Sequence, residues 1–468
     1  MTAGSSSTGT EIAKAVRQRR TSARVVIEAS LATIKRRDPQ LNAFTQVLSE
    51  RALTAADRID AIIAEGGDPG TLAGVPFAVK NLFDIAGVAT LAGSKINRTR
   101  PAANADATLI RRLEAAGAIL VGALNMGEYA YDFTGENAHF GASRNPHAPS
   151  HMSGGSSGGC GTAVASDMVP LALGSDTNGS IRVPSSLCGL FGLKPTYGGL
   201  SRAGTFPFVA SLDHVGPLAR SAADLAVAFD VMAGNDILDP VSARRNIEPV
   251  ALKLAVGTAG LRIAIAGGYF RRGGHAGAFD AVDRAAAELG ATQVIDIPLA
   301  AEARGAAYLI TMSEAAGLHL QRLRERPQDF DPDVRDRLLA GAMIPAAWVV
   351  KAQKFRRAFQ HQIAELFQQV DVLLAPSTPC RAPLIGQKSM ILDGREVPVR
   401  PNLGVFTQPI SFVGLPVVSV PVWTEGDALP IGVQVIAAPW REDHCLRVAS
   451  VLEARGLATA PIAKEMAA

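Results

Sequence analysis

The chain has 468 residues, 48% hydrophobic and 19% charged, with a formal net charge of +3 at pH 7. That balance describes a large globular protein with enough chain to bury a core without staples. The small net charge leaves no nucleic-acid footprint, and no run reaches the roughly 18–20 apolar residues of a membrane helix.

The start, MTAGSSSTG, has no apolar signal core and is expected to be disordered. Glu11 to Arg19 and Ser22 to Arg36 read as amphipathic helices, with Thr21 or Ser22 as cap and Asp38-Pro39 as the stop. A third helix covers Leu53 to Glu65 and ends at Gly66-Gly67. Residues 1–66 are thus expected to form a helical segment packed on a core built from 67–460.

Gly74-Val75-Pro76 opens a short strand, Phe77 to Lys80, which carries one lysine. Helix Ala107 to Ala116 and strand Ile119 to Gly122 continue a helix–turn–strand rhythm. Leu124 to Asp132 and Thr134 to Pro146 are turn-rich. They lead into two glycine loops, GGSSGG around Ser156 and DTNGS around Ser180, joined by a small apolar segment. Phe191 to Lys194 reads as a strand and Ser221 to Ala233 as a helix.

Gly234 to Val256 is polar and irregular. A second α/β stretch follows: strand Leu261 to Ala266, helix Phe279 to Leu289, strand Gln293 to Ile297. Ala301 to Gln369 is mostly helical. Short strands return at Val372 to Ala375, Val417 to Val420 and Ile431 to Val435, and helix Asp443 to Arg455 closes the chain. The pattern predicts one α/β domain, a mixed twisted sheet covered by helices on both faces.

The cysteines Cys160, Cys188, Cys380 and Cys445 show no metal-like or redox spacing, so reduced thiols and a cytoplasmic location are expected.

GGSSGG alone can be a linker, but here it abuts apolar runs that look buried. Gly154-Gly155-Ser156-Ser157-Gly158 also matches G-x-S-x-G, the nucleophile elbow of α/β-hydrolases. That motif requires a strand directly before it, and Pro146 to Ser153 reads as loop. The remaining reading needs Lys80. Val75, Phe77, Val79, Leu82 and Phe83 surround it with apolar neighbours, and desolvation disfavours a charged amine, so it can act as a base. A neutral amine can activate a serine without histidine. Asp176 to Ser180 offers consecutive backbone N–H groups beside a hydroxyl, as an oxyanion hole requires. Asp176 and Arg182 flank that loop and can pair to hold its shape.

Taken together, these stretches resemble the amidase signature family. The match runs through GVP…Lys80, GGSSGG and GSDTNGSIRVP, then GLKPT, DHVGP, DVLLAP, GLP and PIGVQ. The resemblance implies Ser180 as nucleophile, Ser156 as a bridging serine in a cis peptide, and Lys80 as the ultimate base. It implies an oxyanion hole from the backbone N–H groups of Thr177, Asn178, Gly179 and Ser180, and neither metal nor organic cofactor. Relatives usually have glycine where this chain has Asn178. Asparagine tolerates left-handed backbone, and its amide is expected to contact substrate.

Within the family, GENAHFGASRNP and SDTNGSIRVPSS look most like the branch that hydrolyses 1-carboxybiuret, releasing ammonia from a ureido C–N bond. A carboxylate substrate wants an arginine fork. By resemblance to related transamidases, Arg337 is the favoured candidate; Arg335 and Tyr308 are the others. Those relatives imply dimerisation of this chain and a small helical partner subunit. A glutamine-dependent transamidase component, another small-amide amidase acting on allophanate, biuret or malonamate, and an inactive interaction protein stay open as alternatives.

Overall fold

Residues 7–465 are described by the structure, a computed structural model. The glycine- and serine-rich start lies, through residue 6, outside them. From Thr8 onward the chain is ordered into helix: Thr8 caps Gly9–Arg17 through a reciprocal box with Glu11.

Thirteen strands occur among the described residues: β1 (Phe44–Val47), β2 (Pro76–Lys80), β3 (Ile119–Leu124), β4 (Leu171–Asp176), β5 (Phe191–Lys194), β6 (His214–Ala219), β7 (Ile263–Ala266), β8 (Gln293–Ile295), β9 (Val372–Pro376), β10 (Ser389–Leu392), β11 (Arg395–Pro398), β12 (Val417–Val422) and β13 (Ile431–Ala437). Eleven form one sheet in the order β1-β3-β2-β4-β6-β5-β12-β13-β9-β7-β8; β10 and β11 pair separately. The sheet is mixed. β3, β2 and β4 run parallel at one end and β9, β7 and β8 at the other, with antiparallel pairs between. Strands β2, β3, β4, β12 and β13 are buried along their whole length, as strands are when helices cover both faces of a sheet.

Two expectations change, and one further strand appears. The helix from Ala23 does not stop at Asp38-Pro39 but runs to Leu41. Pro39 and Lys35 are both exposed, so the carbonyl that loses a donor lies on the solvent side. Asn42, left-handed, then ends the helix by donating to the Asp38 carbonyl. Next, the N-terminal segment is not only helical: β1 joins the sheet edge against β3, with a bulge between Phe44 and Gln46. Finally, HVGPLA forms β6 near the sheet centre, although proline is disfavoured there. β5 registers only with Leu218 and Ala219 of β6, so nothing on that side requires an N–H from Pro217.

Candidate active site

Lys80 is the last residue of β2, flanked by parallel β3 and β4, so its side chain emerges at their carboxyl ends. In open α/β sheets that edge is where ligand sites form. The lysine is fully buried. Burial, which disfavours the ammonium, pushes its pKa down to about 7. Its Nζ lies 2.6 Å from Ser156 Oγ and 2.9 Å from Ser175 Oγ.

Ser156 sits in the loop before helix Gly158–Ala165, and the Gly155–Ser156 peptide bond is cis. An isolated bridge at Met152, not a strand, precedes this loop, which removes the hydrolase-elbow alternative. Close approach explains Gly155: a Cβ there would meet Asp132 Oδ2 at 2.3 Å.

The second loop leaves the end of β4 and enters helix Arg182–Cys188. Asp176 and Arg182 make a fully buried bidentate pair, Nε to Oδ2 and Nη2 to Oδ1 each at 2.9 Å. Asp176 Oδ2 also accepts the Ile181 N–H at 3.2 Å, which closes the turn. Burial alone would raise the Asp176 pKa; the Arg182 guanidinium instead holds it well below the carboxylate range. Arg182 also donates to the Thr407 carbonyl at 3.1 Å and Gln434 Oε1 at 2.7 Å, tying the loop to the far half of the chain.

Gly179, with φ +144°, takes the strained position; a Cβ there would meet Thr407 Oγ1 at 2.3 Å. Asn178 is not left-handed, so the tolerance expected of asparagine is not what keeps it in place. The backbone is instead held by Thr407 Oγ1, which donates to the Asn178 carbonyl at 2.6 Å. Thr177 is fixed by its hydroxyl donating to Asp213 Oδ1 at 2.6 Å. Among the described residues, the N–H groups of Thr177, Asn178, Gly179 and Ser180 find no acceptor in the protein.

Ser180 opens onto a small pocket with Thr177, Asn178, Tyr131, Tyr308, Thr311 and Arg337 in its lining. Lys80 and Ser156 lie outside that lining, both fully buried. Tyr308 and Thr311 come from helix Ala300–Glu325, Arg337 from Pro332–Ala342. The Arg337 guanidinium lies 3.9 Å from the centroid of the Tyr131 ring and donates to the backbone carbonyls of Asp333 and Tyr131. Desolvation there lowers its pKa, and no carboxylate pairs with it among the described residues. Arg335 takes no part: it pairs with Asp336 at 2.9 Å. The Tyr308 hydroxyl is occupied, donating to the Pro401 carbonyl at 3.0 Å.

Ser175, Tyr131 and Thr311 of this site escape a reading of the sequence, Thr311 because nothing marks it within its long helix. Ser175 carries a hydroxyl near the end of a strand that starts as an apolar run, which is the only signal it offers. Tyr131 lies in LNMGEYAYD, a stretch that reads only as turns. No cluster of three His, Cys, Asp or Glu side chains is placed to hold a metal among the described residues.

The family model for Amidase matches residues 25–446. The chain is 54% identical over 449 residues to AtzE, the 1-carboxybiuret hydrolase subunit of Pseudomonas sp. (strain ADP), covering 96% of this chain and 98% of that protein. It is 37% identical to a glutamyl-tRNA(Gln) amidotransferase subunit of Acinetobacter baumannii (strain ATCC 17978), covering 94% of each. A solved structure of a vestigial protein complex, from work on the origins of an s-triazine catabolic enzyme, superposes with a TM-score of 0.96. It is 53% identical and covers 97% of this chain and 100% of its own.

Proposed function

The chain belongs to the amidase family, and from that premise we propose that it hydrolyses the terminal ureido C–N bond of 1-carboxybiuret, releasing ammonia. The supporting observation is the 2.6 Å contact of a buried, readily neutral lysine with Ser156, behind a pocket lined by Ser180 and a carboxylate-free Arg337. The 54% identity to a carboxybiuret hydrolase supports the substrate.

In this mechanism neutral Lys80 takes a proton from Ser156 as Ser156 takes one from Ser180. Ser180 Oγ attacks the terminal carbamoyl carbon. The resulting oxyanion lies against the free N–H groups of Thr177, Asn178, Gly179 and Ser180. The proton returns through Ser156 to the leaving nitrogen and ammonia departs. Water, deprotonated along the same path, then frees the acyl group from Ser180. Ser175 holds the Lys80 amine in line. Asn178 contacts the substrate, and Arg337 pairs with its carboxylate.

Resemblance to the amidotransferases supports a dimer of this chain with a small helical partner subunit. Four buried free cysteines fit a reducing cytoplasm, and no described helix is long and apolar enough to cross a membrane. The test is ammonia release from 1-carboxybiuret, biuret, allophanate and malonamate by wild type and Ser180→Ala. Release from carboxybiuret by wild type alone is expected. Equal rates in the two proteins would overturn the nucleophile, and ammonia released only when an acceptor protein is present would favour the transamidase reading.

A further inference from the structure

Besides Arg337, whose guanidinium has no carboxylate partner among the described residues, two other groups in the pocket have unspent hydrogen-bonding capacity. Asn178 is 6% exposed; its Nδ2 donates to Thr311 Oγ1 at 3.0 Å, yet its Oδ1 is buried without a partner. Tyr131 is 5% exposed, and its hydroxyl is also buried without a partner. Buried polar atoms are almost always paired, so an orphan acceptor and an orphan hydroxyl lining one pocket mark where a ligand completes the network. The other orphaned side chains among the described residues, Tyr129, His214, His319 and His444, are not in the lining of this pocket.

We propose that Asn178 and Tyr131 make this site a reader of ureido chains: Asn178 Oδ1 accepts the N–H beside the scissile carbamoyl group, and the Tyr131 hydroxyl donates to the next carbonyl. The proposal rests on the hydrolytic reading above and deepens it. An alkyl carboxamide places CH2 where the ureido compound places N–H, and so leaves Asn178 Oδ1 buried and unpaired. Sites built to bond a polar group reject the analogue lacking it for this reason. Thr311 fixes the Asn178 amide from one side, so its oxygen cannot turn away without losing that bond. Burial pushes the Tyr131 pKa up to about 12, which keeps the phenol protonated as a donor.

The test uses three compounds of equal chain length, each with a terminal carboxamide and a terminal carboxylate. Malonurate carries both the N–H and the internal carbonyl, N-carbamoyl-β-alanine carries only the N–H, and glutaramate carries neither. Affinities are measured by calorimetry in the Ser180→Ala background, so binding is read apart from turnover. N-carbamoyl-β-alanine is expected to bind about 10–100-fold tighter than glutaramate, and malonurate tighter again by a similar factor. Asn178→Ala should collapse the first ratio and spare the second; Tyr131→Phe should do the reverse. Each ratio is internal to one protein, so a general loss of folding cancels. Equal affinity for the three compounds, or ratios that neither substitution moves, would overturn the proposal. Preserved ratios with no ammonia from 1-carboxybiuret in wild type would overturn the hydrolytic reading while supporting this one.

Discussion

Lys80 Nζ and Ser156 Oγ stand 2.6 Å apart although 76 residues separate them in the chain. One closes a strand and the other sits in the loop before a helix, and the contact exists because β2, β3 and β4 end at the same edge of the sheet. Both side chains are fully buried, and the cost of keeping an ammonium there is what frees the amine near neutral pH.

If Lys80 must be neutral, kcat/KM climbs about tenfold per pH unit up to about 7 and then levels. A pH–rate profile on 1-carboxybiuret measures this. A flat profile through that range would remove Lys80 from the proton path.

The same burial predicts a pH-dependent stability. Folding lowers the Lys80 pKa from 10.5 to about 7, so between those values the folded state binds fewer protons than the unfolded one. Stability therefore rises with pH across that window, and the cost is fully present below it. It is on the order of 4 kcal/mol at neutral pH and about 1 kcal/mol at pH 10. Lys80→Met should lose activity and resist urea better relative to wild type at pH 7 than at pH 10. A gain independent of pH would refute the argument.

Gly179→Ala should lower kcat by about 10²–10³ by shifting the N–H groups beside Ser180. The added Cβ would meet Thr407 Oγ1 at 2.3 Å, on a backbone that L side chains rarely adopt. Steady-state kinetics beside a denaturation midpoint separates this from unfolding; unchanged kcat would mean that the loop is not the oxyanion site.

Arg337→Ala should raise KM for 1-carboxybiuret about 10–100-fold, the loss of a charge-assisted pair, and leave uncharged biuret little changed. Equal losses on both compounds would count against a carboxylate contact.

Asp176→Asn leaves Arg182 buried without its counter-charge, and breaking such a pair costs about 3–5 kcal/mol. Chemical denaturation should show it. A midpoint close to wild type would mean that Gln434, the Thr407 carbonyl and the Ser411 hydroxyl, which also accepts from Arg182 Nη2, suffice to hold the guanidinium.

What is legible in the sequence is local. Long buried strands such as β12 and β13 announce themselves as runs dominated by valine and isoleucine, VVSVPV and IGVQVIA, and the glycine loops stand out because few other contexts need such residues. β1 and β6 do not show: FTQV is half polar, and HVGPLA has only one β-branched residue beside a glycine and a proline, so only sheet register gives them a strand's shape. Asn178 stands out as the unusual residue of its loop, but the left-handed conformation its residue type suggests is one it does not adopt.

By itself the sequence determined the family, the α/β class and a lysine among apolar neighbours, since each rests on residue type and short spacing. Tertiary structure alone decided which groups meet. Ser175 reaches Lys80 only through strand register, Arg337 faces the pocket while Arg335 turns to Asp336, and Tyr131 and Asn178 are orphaned only by what packs around them. A residue's unmet hydrogen bonds are a property of its neighbours in space, and those come from elements hundreds of residues apart.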